Sequence, residues 1–162
     1  FSKLEISVDI CEGEYENFFA DDYRSQSTEN KKWGSILKLN IPVDDGTDGD
    51  NFKKRLLKSF TDAVEDSNVN YHWDWDEKKL KGKIVGVLFR REEWEWEDKS
   101  GWKTRPFKAL PADTIRGENF IVPADKPLQN KAATTPMNYN IGGTPSEQFE
   151  SLIDDDLPFD NL

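Results

Sequence analysis

The chain has very few of the side chains from which most catalytic and metal sites are built. Among its 162 residues there is one cysteine, Cys11, and one histidine, His72. A single cysteine excludes an intrachain disulfide and a cysteine-based zinc site, and neither metal-ligand spacing nor a Gly-rich phosphate loop occurs. An enzyme is supported only by His72 and the many carboxylates, and nothing singles out an acid–base pair among them. The sequence therefore predicts a protein that is not an enzyme and needs no cofactor or metal.

Long apolar runs are also absent. No stretch approaches the roughly 20 apolar residues that a membrane-spanning helix needs, and the first residues lack the basic-then-apolar pattern of a secretory signal. The single cysteine fits a reducing compartment. Together these features predict a soluble cytoplasmic protein with no membrane partner.

Positive charge is in short supply. The chain has 22 Lys and Arg against 32 Asp and Glu, for a formal net charge of -10, and this argues against a nucleic-acid partner because polyanions bind to basic surfaces. About half of that charge lies after Lys126, where six acidic residues accompany one lysine. Residues 1–126 remain mildly acidic, so a nucleic-acid site there requires that basic residues be grouped on one part of the surface. The alternative is an acidic adaptor or DNA mimic that binds proteins and no nucleic acid.

Alternating apolar residues predict a mainly β domain. Leu4, Ile6, Val8 and Ile10 alternate with polar residues, which is the pattern of a half-buried strand. In residues 71–75 aromatic side chains alternate with polar ones. The aromatic side chains form either a stacking platform for bases or a plug for one end of a barrel. The predicted extended segments are 4–10, 15–23, 33–43, 83–97 and 102–110, with a short turn or helical step at 76–82.

One helix is predicted from about Phe52 to Glu65, because apolar residues recur there every four positions. Its basic residues, which lie on the other sides, are interpreted as a solvated face rather than a DNA contact. The preceding segment 44–50 superficially resembles a calcium loop, but Gly46 and Arg55 occupy positions that need oxygen ligands. We therefore expect a turn that supplies the N-cap of the helix.

The hairpin of segments 83–97 and 102–110 is the most informative part of the sequence. If the turn 98–101 closes it symmetrically, Trp96 lies opposite Lys103 and Trp94 lies opposite Arg105. Exposed aromatic rings stack on bases and nearby cations bind phosphates, so this face suits a single-stranded nucleic acid. The alternative is that the tryptophans cover hydrophobic neighbours while the cations offset glutamates. The candidate DNA-binding residues are Arg90, Trp94, Trp96, Lys103, Arg105 and Phe107, with Trp33, Lys38 and Trp73 as weaker candidates.

The C-terminal part of the chain predicts a linker and a partner-binding tail. From Pro123 onward the sequence is rich in Pro, Asn, Thr and Gly and has no periodicity. Leu152, Ile153, Leu157 and Phe159 are apolar residues around three aspartates, a combination that suits a basic groove on another protein. A terminus that served only solubility would not need them.

Two parts of the sequence resemble known families. The tail segment Asp154-Asp155-Asp156-Leu157-Pro158-Phe159 resembles the acidic C-terminal tip of bacterial and phage single-stranded DNA-binding proteins, although three residues follow the Phe here. Segment 80–94, with Gly101-Trp-Lys-Thr104 and Asp113-Thr-Ile-Arg-Gly117, is similar to a family of small proteins from replication modules of phages and prophages of Gram-positive bacteria. The resemblance implies an OB-fold that coats single-stranded DNA in a bacterial host cell. It also implies that Asp154–Phe159 recruits replication, recombination or repair proteins, with Phe159 inserted in a pocket.

The expected architecture is a mainly β, OB-like five-stranded barrel with one α-helix, over residues 1–126. A disordered linker follows over residues 127–150, and the acidic tail covers residues 151–162. The sequence leaves the oligomeric state open, and a homo-oligomer is compatible with it.

Overall fold

A computed structural model of the protein describes residues 2–129. Within this part, four strands form two separate antiparallel two-stranded sheets, accompanied by three α-helices and a 3-10 turn. The elements are β1 Lys3–Ser7, α1 Phe18–Ser25, β2 Ile36–Asn40, α2 Asp48–Ser67, the 3-10 turn Glu77–Leu80, β3 Gly86–Trp96, β4 Lys99–Leu110 and α3 Ala112–Arg116. The described part is thus mixed α/β rather than mainly β. No helix in it is long and apolar enough to cross a membrane.

The first sheet follows from the alternation of apolar residues at the start of the chain. Strand β1 pairs with β2 so that Leu4 lies opposite Leu39 and Ile6 opposite Leu37. Leu37 and Leu39 are buried, and the two β1 residues pack against the same core. Both strands are shorter than predicted.

Helix α2 provides much of the core. The predicted helix over 52–65 is confirmed and is longer, because the Thr47 side chain accepts a hydrogen bond from the Asp50 amide (3.2 Å) and caps an earlier start. The predicted turn before the helix therefore does supply its N-cap. The buried face of α2 contacts both β2 and β4, and each large apolar side chain buried there stabilises the fold by about 1.5–3 kcal/mol. That face comprises Leu57, Phe60, Ala63 and Val64.

The second sheet is the hairpin of β3 and β4, and its base is fixed by close packing. Phe89 of β3 stacks on Phe19 of α1 with ring centroids 6.0 Å apart. At Gly86, a Cβ atom would lie 2.5 Å from Ile115 Cγ1 of α3 and 2.7 Å from the Leu110 carbonyl oxygen. Only glycine allows helix α3, which the sequence did not predict, to approach the hairpin so closely.

The predicted five-stranded OB-like barrel is not found in the described residues. Strand β1 pairs with β2 and β3 pairs with β4, and backbone hydrogen bonds do not join the two sheets. Segment 15–23 contains helix α1 instead of a strand, because the Asp9 carboxylate accepts hydrogen bonds from the amides of Phe19 (3.0 Å) and Ala20 (3.2 Å) in its first turn. Segment 71–75 forms no strand either. Helix α2, rather than a fifth strand, packs against both sheets.

Candidate nucleic-acid interface

The turn of the β3–β4 hairpin is tighter than the sequence predicted. Trp96 lies opposite Lys99, so the turn consists of Glu97 and Asp98 alone, and the predicted turn 98–101 is wrong. Glu97 adopts a φ of 53°, a left-handed conformation that closes a two-residue hairpin turn. Each predicted cross-strand pair is consequently displaced by four residues. Because four is even and strand side chains alternate with a period of two, the predicted faces are preserved as far as Arg105, whereas the predicted Phe107 lies at a shift of register and has no cross-strand partner.

The two faces of the hairpin carry different side chains, because residues that lie directly opposite each other in an antiparallel pair share a face. We call one of them the basic face; it consists of Arg90, Glu92, Trp94, Trp96, Lys99, Gly101, Lys103 and Arg105. Four of these eight residues are basic and one is acidic. The opposite face includes Arg91, Glu93, Glu95, Trp102 and Thr104. Charge is therefore segregated within this hairpin, although the whole chain is acidic.

The tryptophans of the basic face are exposed. Trp94 lies over its cross-strand neighbour Gly101, where a Cβ atom would come within 3.2 Å of the indole ring. This contact orients the ring while 37% of the residue remains exposed. Trp96 is 54% exposed. Both indoles can therefore offer ring surface to a planar ligand, and the sequence prediction that the two lie on one face is met by the observed register.

The cations of the basic face fall into two groups. Glu92 binds Arg90 (3.1 Å) and Arg105 (3.7 Å), and the Arg90 guanidinium also lies 4.1 Å from the centre of the Phe107 ring. Lys99 and Lys103 are exposed, and neither has a carboxylate within 4.0 Å among residues 2–129. The two lysines are thus the cations of the basic face that have no carboxylate contact in the described part. Lys99 was missed by the sequence analysis because it was placed inside the turn.

A later segment of the chain pairs with the edge of β3. Arg91 forms an ion pair with Asp125, which lowers the pKa of that carboxyl group, and its guanidinium lies 5.4 Å from the centre of the Trp102 ring. The Lys126 amide donates to the Arg91 carbonyl and the Lys126 carbonyl accepts from the Glu93 amide, both at 2.8 Å. The Glu93 carboxylate accepts a hydrogen bond from the Leu128 amide at 3.1 Å. Residues 125–128 therefore lie along the edge of β3, and the Asp125 side chain contacts Arg91 of the opposite face.

The weaker candidates do not join the hairpin. The indole nitrogen of Trp33 donates to the Val8 carbonyl (2.8 Å), so this half-buried residue anchors the loop before β2. Lys38 lies opposite Glu5 in the first sheet, 3.7 Å from its carboxylate. Trp73 is half-buried, and its indole nitrogen is shielded from solvent. The indole nitrogens of Trp33 and Trp73 are thus turned inward, whereas the Lys38 side chain stays exposed beside Glu5.

Two other parts of the chain bear on the alternatives. His72 is exposed and makes no hydrogen bond or ion pair within the described part, so no partner orients it for acid–base chemistry. The predicted tail residues Asp154–Phe159, and the predicted linker beyond Gln129, lie outside the described residues.

No protein-family model, curated protein or solved structure matches the chain. The resemblance to single-stranded DNA-binding proteins therefore rests on the sequence segments quoted above and stays a prediction.

Proposed function

We propose that the protein binds single-stranded DNA during replication or recombination, with the strand lying across the basic face of the hairpin. The observation that carries this proposal is the combination of two exposed tryptophans, Trp94 and Trp96, with two exposed lysines, Lys99 and Lys103, that have no carboxylate within 4.0 Å in the described part. A hairpin face of this kind can bind a strand without a closed barrel around it.

The chemistry of the face favours single strands over duplex. Trp94 and Trp96 are two residues apart on one strand, which separates them by about 6.8 Å. Successive nucleotides of a stacked strand are about 3.4 Å apart, so two neighbouring bases reach both rings only when the strand is stretched. Each base stacked on an aromatic side chain contributes about 1–3 kcal/mol. A duplex keeps its bases stacked on each other and gains little from the two indoles.

The acidity of the chain does not oppose this proposal at the site itself. Glu92 is the acidic residue of the basic face, and it is already engaged with Arg90 and Arg105. Glu93 and Glu95 point to the opposite face. A phosphate that approaches Lys99 or Lys103 therefore meets local positive charge, although repulsion by the whole molecule should make binding sensitive to salt.

The deciding experiment is a titration of a fluorescently labelled dT 30-mer with the full chain at several salt concentrations. We expect binding that weakens as salt rises, with much lower affinity for duplex of the same length. An RNA 30-mer tests whether the sugar matters, because stacking alone tolerates both. No binding of the dT 30-mer at low salt would favour the alternative, an acidic adaptor or DNA mimic.

The proposal includes recruitment of replication or recombination proteins by the tail. Apolar residues flank Asp154, Asp155 and Asp156, which suits a groove that is basic at its rim and apolar inside. Removing residues 151–162 should leave DNA affinity unchanged or slightly higher, since an anion near the DNA site is lost, and should abolish partner capture. Phe159→Ala alone should cause most of that loss, whereas Asn161→Ala should not. Equal capture by the full and tail-less chains would reduce the tail to a solubility device.

A further inference from the structure

Trp75 combines two features that are each unfavourable for a tryptophan. Its backbone adopts a φ of 68°, in the left-handed region, and 66% of the residue is exposed. Bulky side chains are rare in that region, which favours glycine and tolerates asparagine or aspartate. An exposed indole also gains little burial energy in return. Strained residues of this kind persist where the surrounding structure holds them, and they are concentrated at binding sites.

The turn around Trp75 is held by its neighbours. The Asp74 carboxylate accepts a hydrogen bond from the Asp76 amide, and the Asp76 carboxylate accepts one from the Lys78 amide, both at 3.2 Å. Lys79 forms ion pairs with the same two carboxylates. These contacts fix the backbone on both sides of Trp75 without using its side chain. The conformation of the turn is thus set by groups other than the indole.

Trp73 and Trp75 are a neighbouring pair with different environments. Their ring centroids are 5.9 Å apart with an interplanar angle of 54°. The Trp73 amide donates to Glu65 of helix α2 at 2.8 Å, and the Trp73 indole nitrogen is buried. Trp73 therefore anchors the segment to the core, whereas the neighbouring Trp75 remains largely exposed.

Basic residues follow Trp75 on the 3-10 turn and directly after it. Lys78 and Lys81 are exposed, and neither has a carboxylate within 4.0 Å in the part of the chain that the structure describes. Lys83 lies 5.0 Å from the centre of the Tyr71 ring. Of the nearby carboxylates, those of Asp74 and Asp76 are paired with Lys79, and Glu77 is exposed. The segment thus repeats the chemistry of the basic face, namely an exposed indole beside lysines.

We propose that Trp75, with Lys78 and Lys81, forms a second contact for the same single-stranded DNA, in which a base stacks on the indole and the lysines bind phosphates. This inference rests on the proposed function, because its ligand is the strand that the hairpin binds. It replaces Trp73, the weaker candidate from the sequence, by its exposed neighbour.

The test compares Trp75→Ala and Trp75→Gly in the full chain, using the dT 30-mer. Both changes should weaken binding by about 5- to 150-fold, which corresponds to one lost base stack. Trp75→Gly should also raise the melting temperature by a few degrees, because glycine adopts the left-handed conformation without strain. Trp102→Ala is the matched control: this tryptophan is 46% exposed but lies on the opposite face of the hairpin, so its loss should leave the affinity unchanged.

The lysines give an independent measurement. Lys78→Ala combined with Lys81→Ala should reduce the slope of log affinity against log salt by about 1.4, at about 0.7 for each phosphate contact of a single strand. Lys58→Ala is the control, because Lys58 is paired with Asp62 in helix α2 and should not change the slope.

The outcomes separate this inference from the proposed function. If Trp75 is structural, both of its variants should lower the melting temperature while the folded protein binds like the parent, and the second contact is disproved. If the hairpin variants lose affinity but the Trp75 and lysine variants do not, the proposed function stands and this inference is wrong. If the parent chain does not bind the dT 30-mer at low salt, the proposed function itself fails.

Discussion

Helix α2 and the β3–β4 hairpin both carry clusters of charged residues, but they use them differently. In α2 the charges are satisfied internally: Lys58 pairs with Asp62, and Lys54 pairs with Asp44 and with Asp50, which is 1% exposed. On the basic face of the hairpin, two lysines and two tryptophans face solvent. The difference indicates that the paired charges at α2 stabilise the fold, whereas Lys99 and Lys103 on the basic face have no carboxylate within 4.0 Å in the described part.

The pKa values of the α2 region agree with this comparison. Burial works to raise the pKa of Asp50, but hydrogen bonds from the Val43 and Asp44 amides outweigh it and hold the pKa below its ordinary value. The hydrogen bond with Asp62 raises the pKa of Lys58. Both groups are thus kept charged by partners inside the protein.

The largest expected effect concerns the hairpin. Trp94→Ala combined with Trp96→Ala should weaken binding of the dT 30-mer by about 2–6 kcal/mol, because two base stacks are lost. The melting temperature should fall modestly, because Trp96 is 54% exposed and Trp94 loses its contact with Gly101. Affinity is measured by fluorescence anisotropy, and stability by thermal unfolding. If the double variant stays folded and binds like the parent, the strand does not cross this face.

A substitution in the core should instead reduce stability and leave DNA affinity unchanged. Phe60→Ala should lower the free energy of unfolding by about 3–5 kcal/mol, because Phe60 is 3% exposed and its loss leaves a cavity. Urea unfolding measures this change. The fraction that remains folded should bind DNA with the parent affinity. A specific loss of affinity in the folded fraction would show that the two regions are not independent.

A smaller effect is expected from the lysines of the basic face. Lys99→Ala combined with Lys103→Ala should reduce the salt dependence of binding by about 0.7 in slope for each lost phosphate contact. Lys38→Ala is a suitable control, since Lys38 lies beside Glu5 in the other sheet. An unchanged slope in the double variant would mean that these lysines do not meet phosphates.

The smallest expected effect concerns the hairpin turn. Glu97→Gly should raise the free energy of unfolding by about 1 kcal/mol, because Glu97 has a φ of 53° that glycine adopts without steric cost. Urea unfolding is again the measurement, and Asp98→Gly is the control because Asp98 has no positive φ. Since Glu97 lies outside the basic face, DNA affinity should be unchanged. A loss of stability on Glu97→Gly would contradict the two-residue turn.

Sequence patterns predicted local elements better than their assembly. The helix over 52–65 and the faces of the hairpin as far as Arg105 were predicted correctly, the faces because the register error was an even number of residues. Helix α1 was missed because Asp9, its capping residue, lies outside the local window in which patterns are read. The barrel was predicted wrongly because pairing between distant strands depends on packing that periodicity does not encode.

The candidate site shows the same limit. Sequence spacing placed Trp94, Trp96 and Lys103 on one face, but it missed Lys99 because turn length depends on the backbone conformation of Glu97. Trp73 was preferred to Trp75 because burial cannot be read from two aromatics in an alternating segment. Exposure and backbone angle, the features that distinguish Trp75, became visible only in the fold.

The pairing of Lys126 with β3 has a consequence for self-association. A strand at the edge of a sheet exposes amide and carbonyl groups that can template an extended segment of another molecule, which is a common route to aggregation. Here the Arg91 carbonyl and the Glu93 amide are already bonded to Lys126. These bonds block the addition of a strand from another molecule in the middle of β3. The hairpin can therefore expose two tryptophans to a ligand while this part of its edge is unable to pair with a second copy of the chain.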